Sequence, residues 1–199
     1  CTAMMIAQAA ISKDSFAVWG FNRGGFPVWP GGTNQPAQNH KEAIDFFLAQ
    51  VPNGESPFPA RNSTNLANGL NKVGEDLRDY DFDQSVTVAI MDGSWGSVSS
   101  VNADIFANNE FNDEDLRKQG PLFYVIIGSP YDQDTLDTTV RVFREALTKH
   151  YGQDMSGCVL DFALVIGEDG NMEDVGGALV QMAQINAGIA TDLKPCPRI

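Results

Sequence analysis

Cys1-Thr2-Ala3-Met4-Met5-Ile6-Ala7-Gln8-Ala9-Ala10-Ile11 is the stretch on which the reading of the fold depends. It is almost wholly apolar, and periodicity alone leaves it open to be a buried strand or a buried helix. As a strand it pairs across the turn Ser12-Lys13-Asp14-Ser15 with the apolar run 16–21, and the two make a buried hairpin.

Beyond that run, Pro27, Pro30, Pro36 and the pair Gly31-Gly32 interrupt residues 26–39, leaving room there for one short strand at 26–29. Residues 40–51 have helical character. After a Pro/Gly-rich connection at 52–59, Leu66, Leu70, Val73, Leu77 and Tyr80 recur at the spacing of one helix face. Residues 85–91 (SVTVAIM) are rich in β-branched side chains and read as a strand ending at Asp92-Gly93, with a further strand expected within 97–106. Residues 122–127 form a third, buried strand. An amphipathic helix at 134–150 places Leu136, Val140, Phe143 and Leu147 on one face. A strand at 159–166 then precedes the turn Glu168-Asp169-Gly170-Asn171, and 178–189 reads as a closing helix. No internal repeat or low-complexity tract interrupts this order. Residues 1–199 are therefore read as a single α/β layered domain.

Charge narrows the partners. Thirteen Lys+Arg against 26 Asp+Glu give a formal net charge of −13, which repels phosphate backbones and argues against nucleic acid. No apolar run approaches the roughly 20 residues that a membrane-spanning helix needs, so a soluble chain without a membrane partner is expected. A chain opening on Cys1 rather than Met is expected to have lost an upstream piece. Cys1, Cys158 and Cys196 are too few for a disulfide framework and lack zinc-ligand spacing, and pairing of Cys158 with Cys196 stays open. Asn62-Ser63-Thr64 is a glycosylation sequon, relevant only to a secreted chain.

The chemistry expected of Cys1 follows from its position. A thiol can attack an amide carbonyl while the α-amine of the same residue, with an ordinary pKa near about 8, takes the proton. No histidine is needed, and His40 and His150 fall on expected helices as surface residues. Asp92-Gly93, Asp132-Gln133-Asp134 and Glu168-Asp169-Gly170-Asn171 lack calcium-loop spacing and read as solvated turns. The glycines at 20–32 match neither a P-loop nor a dinucleotide fingerprint.

Cys1-Thr2, the apolar run, the Lys13-Asp14 turn and the following strand together resemble the opening hairpin of the N-terminal nucleophile (Ntn) hydrolases. Arg23 fits the hairpin of proteasome-type β subunits, and Asn22 fits that of the bile-salt hydrolase and penicillin V acylase relatives. "IIGSPY" at 126–131 and "SGCVLDFALVIGEDG" at 156–170 also look proteasome-like in order. The resemblance implies an αββα Ntn-type sandwich and an amidohydrolase or acyltransferase working through a thioester on Cys1. Asn22 and Arg23 would support it, Ser129, Asp154 and Ser156 would be further carry-overs, and Lys41 is a candidate for the lysine of the proteasome pattern. It implies a small amide or peptide substrate and no cofactor or metal. A homo-oligomer stays open.

A second resemblance competes with the first. "DSFAVWGFN" at 14–22, "STNLANGL" at 63–70, "VAIMDGS" at 88–94 and "LRKQGPLFYVIIG" at 116–128 are similar to successive pieces of a von Willebrand factor A domain, a doubly wound α/β binding module. That likeness implies Mg²⁺-dependent protein binding, with Thr64 and Asp92 among the oxygen ligands. Its central strand, bearing Asp-x-Ser-x-Ser, would have to precede Cys1. Asp92-Gly93-Ser94-Trp95-Gly96-Ser97 has those residue types with one residue too many and at a different place in the order.

Overall fold

A computed structural model describes residues 15–30, 40–50, 65–80, 85–91, 95–106, 116, 120–128, 132–163, 165–166, 172–173 and 196–197. It is a mixed α/β structure that divides into two compact units, residues 1–80 and 81–199. The run Thr2 to Ile11, Cys1 included, lies outside the described residues, as does 178–189.

In the first unit, β1 (Val18–Phe21) and β2 (Gly25–Trp29) form an antiparallel hairpin. The short strand expected at 26–29 is present, and it is the described partner of the 16–21 run. Helix α1 (His40–Gln50) contributes Ala43 to a cluster with Val28 and Trp29, against which Phe16, Val18, Phe26, Ile44 and Phe46 pack. Helix α2 (Leu66–Leu77) buries Leu66, Ala67, Leu70 and Leu77; of the face that spacing indicates, Val73 is half-buried and Tyr80 lies beyond the helix end. The hairpin comes very close to this helix: a Cβ on Gly69 would lie 2.6 Å from that of Phe21, and one on Gly25 would lie 2.4 Å from that of Lys72. Such contact leaves room only for hydrogen at both positions.

The second unit is built on a parallel sheet in the order β3 (Thr87–Met91), β4 (Leu122–Gly128), β5 (Val159–Ala163). Val88, Phe123 and Ile90, Val125, Leu160 stand in register on one face, and Phe123, Val125 and Leu160 are its buried centre. Strand β4 is buried on both faces along most of its length, which is why 122–127 reads as a continuous apolar run without alternation. The residue expected to start a strand at 97 instead caps a helix. Ser97 opens α3 (Val98–Val101), which passes into a π-helical turn over Asn102–Phe106. Short-range bonds from the Ser97 and Ser100 hydroxyls satisfy the backbone locally and remove the advantage of a ladder.

Helix α4 (Gln133–Tyr151) crosses from β4 to β5. Asp132 caps it by accepting from the Thr135 N–H, and Gly152, at φ 69°, ends it with its own N–H on the Thr148 carbonyl at 2.9 Å. Leu136, Val140, Phe143 and Leu147 are all buried, as their spacing requires. The strand expected over 159–166 is broken into β5 and β6 (Val165–Ile166), and β6 turns back to pair antiparallel with β7 (Met172–Glu173). Cys158 and Cys196 form a disulfide, which settles the pairing that sequence left open.

Candidate functional site

In a parallel sheet the loops that follow the strands gather at the carboxyl end, and the two connections between β3 and β5 both begin there. Met91, the last residue of β3, lies beside Ile126 of β4, and Gly128 ends β4 opposite Ala163. The chain leaving β3 is anchored by Trp95. Its indole N–H donates to Asp104 Oδ2 at 2.8 Å, and its ring lies 5.3 Å from that of Phe143 on α4. Phe143 in turn packs 5.2 Å from Tyr124 in the middle of β4. Trp95, Phe143 and Tyr124 thus link the residue that follows β3 at 95, the crossing helix and the central strand through tilted aromatic contacts.

Trp95 in this way presents a small hydroxyl-rich turn. Ser97 Oγ lies 2.9 Å from Ser99 Oγ and 3.3 Å from Ser100 Oγ, and Ser97 and Ser100 close a reciprocal capping box. The chain leaving β4 meets α4 just as closely, since a Cβ on Gly128 would come within 2.8 Å of the Leu136 side chain. Asp132, Asp134 and Asp137 lie exposed at that end of α4, where Gln133 Nε2 donates to Asp137 at 2.7 Å. The negative charges stabilise the positive end of the helix dipole. Among the described residues no group of three or more His, Cys, Asp or Glu side chains is placed to hold a metal ion.

Of the residues expected from sequence, the described ones are Asn22, Arg23 and Lys41 in the first unit and Asp154, Ser156 and His150 in the second. Cys1 and Ser129 lie outside the described residues, as do Thr64 and Asp92. Asn22 and Arg23 sit together in the turn of the β1–β2 hairpin. The Asn22 side chain accepts from the Gly24 N–H at 3.4 Å, its carbonyl takes the Asn65 N–H at 2.6 Å, and the Arg23 carbonyl accepts from Asn68 Nδ2 at 2.8 Å. Those bonds shape the turn and fasten it to the start of α2. Asp154 and Ser156 do come together: Asp154 Oδ1 accepts from both the Ser156 N–H at 3.0 Å and the Ser156 hydroxyl at 2.6 Å. The pair forms the exposed turn that leads through the single helical turn Ser156–Cys158 into β5. Lys41 is exposed and pairs with Asp45 one turn along α1. His150 is exposed at the end of α4 and stacks on Phe106 at 4.3 Å.

Trp95 and Phe143 were legible only as apolar residues. What makes Trp95 an anchor is a contact with a helix 48 positions away in sequence, and no local pattern carries it. Comparison with known protein families, with curated proteins and with solved structures returns no match.

Proposed function

We propose that the chain is a von Willebrand factor A-like binding module, which engages a protein partner at the carboxyl end of a doubly wound parallel sheet. The observation that carries this reading is the β4–α4–β5 unit, two parallel neighbours joined through one helix, with β3 parallel on the other side of β4. Parallel neighbours need such a crossover, and binding surfaces of doubly wound sheets lie where the strands end. The pieces at 88–94 and 116–128 that are similar to that family overlap β3 and β4, which are adjacent parallel strands here. In sequence, Asp92 directly follows β3. A carboxylate and hydroxyls are the hard oxygen donors that Mg²⁺ takes.

Magnesium is the variable that tests the proposal. Titration with MgCl₂ should raise the unfolding temperature of the chain, and Asp92→Ala should abolish that rise while Cys1→Ala leaves it intact. The competing amidohydrolase reading expects turnover of amide substrates that is lost in Cys1→Ala and indifferent to magnesium. Such turnover, or a magnesium response untouched by Asp92→Ala, would overturn the binding-module reading.

A further inference from the structure

The disulfide joins positions of very different accessibility. Cys158 is fully buried at the entrance to β5, between the Ser156–Cys158 turn and Val159. Cys196 is only partly buried, and it packs on the apolar face made by Phe123, Val125 and Leu160. The two are 38 positions apart, and the bond closes a loop that contains β5, β6 and β7.

We propose that the Cys158–Cys196 bond is a redox-operated clasp: an external dithiol opens it, releasing the Cys196-Pro197 segment from the sheet face while the parallel sheet stays folded. A thiolate of the dithiol attacks Cys196 Sγ, the sulfur of the less buried of the two cysteines, and expels Cys158 as a thiolate that takes up a proton. The second thiol of the dithiol then displaces Cys196 from the mixed disulfide. Two protein thiols and one oxidised dithiol result, so electrons and protons balance. The consequences at the two ends differ. A reduced Cys158 remains a buried, small apolar side chain, in keeping with the burial typical of free cysteine. Cys196 loses its tether, and the face of Phe123, Val125 and Leu160 loses a cover.

The folding of the sheet does not depend on the bond for its register. Strands β3, β4 and β5 are held by their own ladders, by α4, and by Arg144, whose Nη2 donates to the Val159 carbonyl at 2.8 Å. Val159 is the residue next to Cys158, so the entrance to β5 stays pinned from the helix side when the sulfur bond is gone. The Arg144 head also lies 3.9 Å from Asp161 on the same strand.

The experiment uses the whole chain, oxidised and after treatment with dithiothreitol, with hydrogen exchange read by mass spectrometry and an apolar fluorescent dye as a second readout. Reduction should raise dye fluorescence severalfold and speed exchange in the peptide that contains Cys196. Protection across residues 122–128 and 159–163 should stay, and re-oxidation should reverse both changes. Cys196→Ser should match the reduced chain without any reductant, and a dithiol should leave that variant unchanged. Loss of protection throughout β4 and β5 on reduction would show the bond to be a structural staple. Unchanged dye binding and exchange would show that it holds nothing. Either result overturns the clasp. Neither bears on magnesium binding, so the two proposals fail independently.

Discussion

Phe143→Ala should damage the second unit severely. The side chain is completely buried, with its ring 5.2 Å from Tyr124 and 5.3 Å from Trp95. Truncating a buried Phe to Ala costs about 3–5 kcal/mol through lost transfer energy and the cavity left behind. Each aromatic pair adds about 0.5–1.5 kcal/mol beyond its area. Because neighbouring terms overlap rather than add, a loss of about 4–5 kcal/mol is expected. A domain is typically stable by only about 5–15 kcal/mol, so the variant should lie near the edge of folding. Urea unfolding monitored by far-ultraviolet circular dichroism measures the change, and tryptophan emission reports separately on the environment of Trp95. Phe143→Leu keeps most of the volume and should lose far less. A loss below about 2 kcal/mol for Phe143→Ala, at the low end for buried large-to-small changes, would refute the aromatic contacts as the element joining Trp95 to the sheet.

Two other substitutions separate close backbone approach from buried polar bonding. Gly120→Ala would place a Cβ 1.8 Å from the backbone oxygen of Ser85, so the entry to β4 must shift against β3. Thermal unfolding should show a large destabilisation, about 2 kcal/mol or more, whereas Gly96→Ala, with open space around it, should be near neutral. In the first unit, Asp76 is almost completely buried on its side chain, accepts from the Trp19 indole N–H at 2.9 Å and pairs with Lys72. Asp76→Ala leaves that indole without its acceptor and should cost about 1–3 kcal/mol in a denaturant titration. The paired change with Trp19→Phe should recover part of the loss; no recovery would show that the indole bond contributes nothing.

Much of the architecture was legible because burial writes itself into local pattern. Leu136, Val140, Phe143 and Leu147 recur at helical spacing because one face of α4 meets the sheet. The unbroken apolar run of β4 reflects a strand covered on both faces. The reading failed at 97–106 because two hydroxyls at Ser97 and Ser100 outweigh the apolar content of the segment, and capping is settled by single bonds. It failed again after Ala163, where the chain changes sheets inside one apolar stretch. Among the site residues, Asn22 and Arg23 were singled out for chemistry, yet their described bonds build a turn. Asn in a tight turn has the same sequence signature whichever purpose it serves.

The sequence by itself determined the acidic character and the regularly spaced elements, α4 and β4 among them, since these depend on spacing and composition alone. Strand direction, the aromatic contacts of Trp95 and Phe143, and the partner of Cys196 were decided only in three dimensions. Each depends on which distant segments meet. Hydrophobic periodicity states that a face is buried, and it is silent about what buries it.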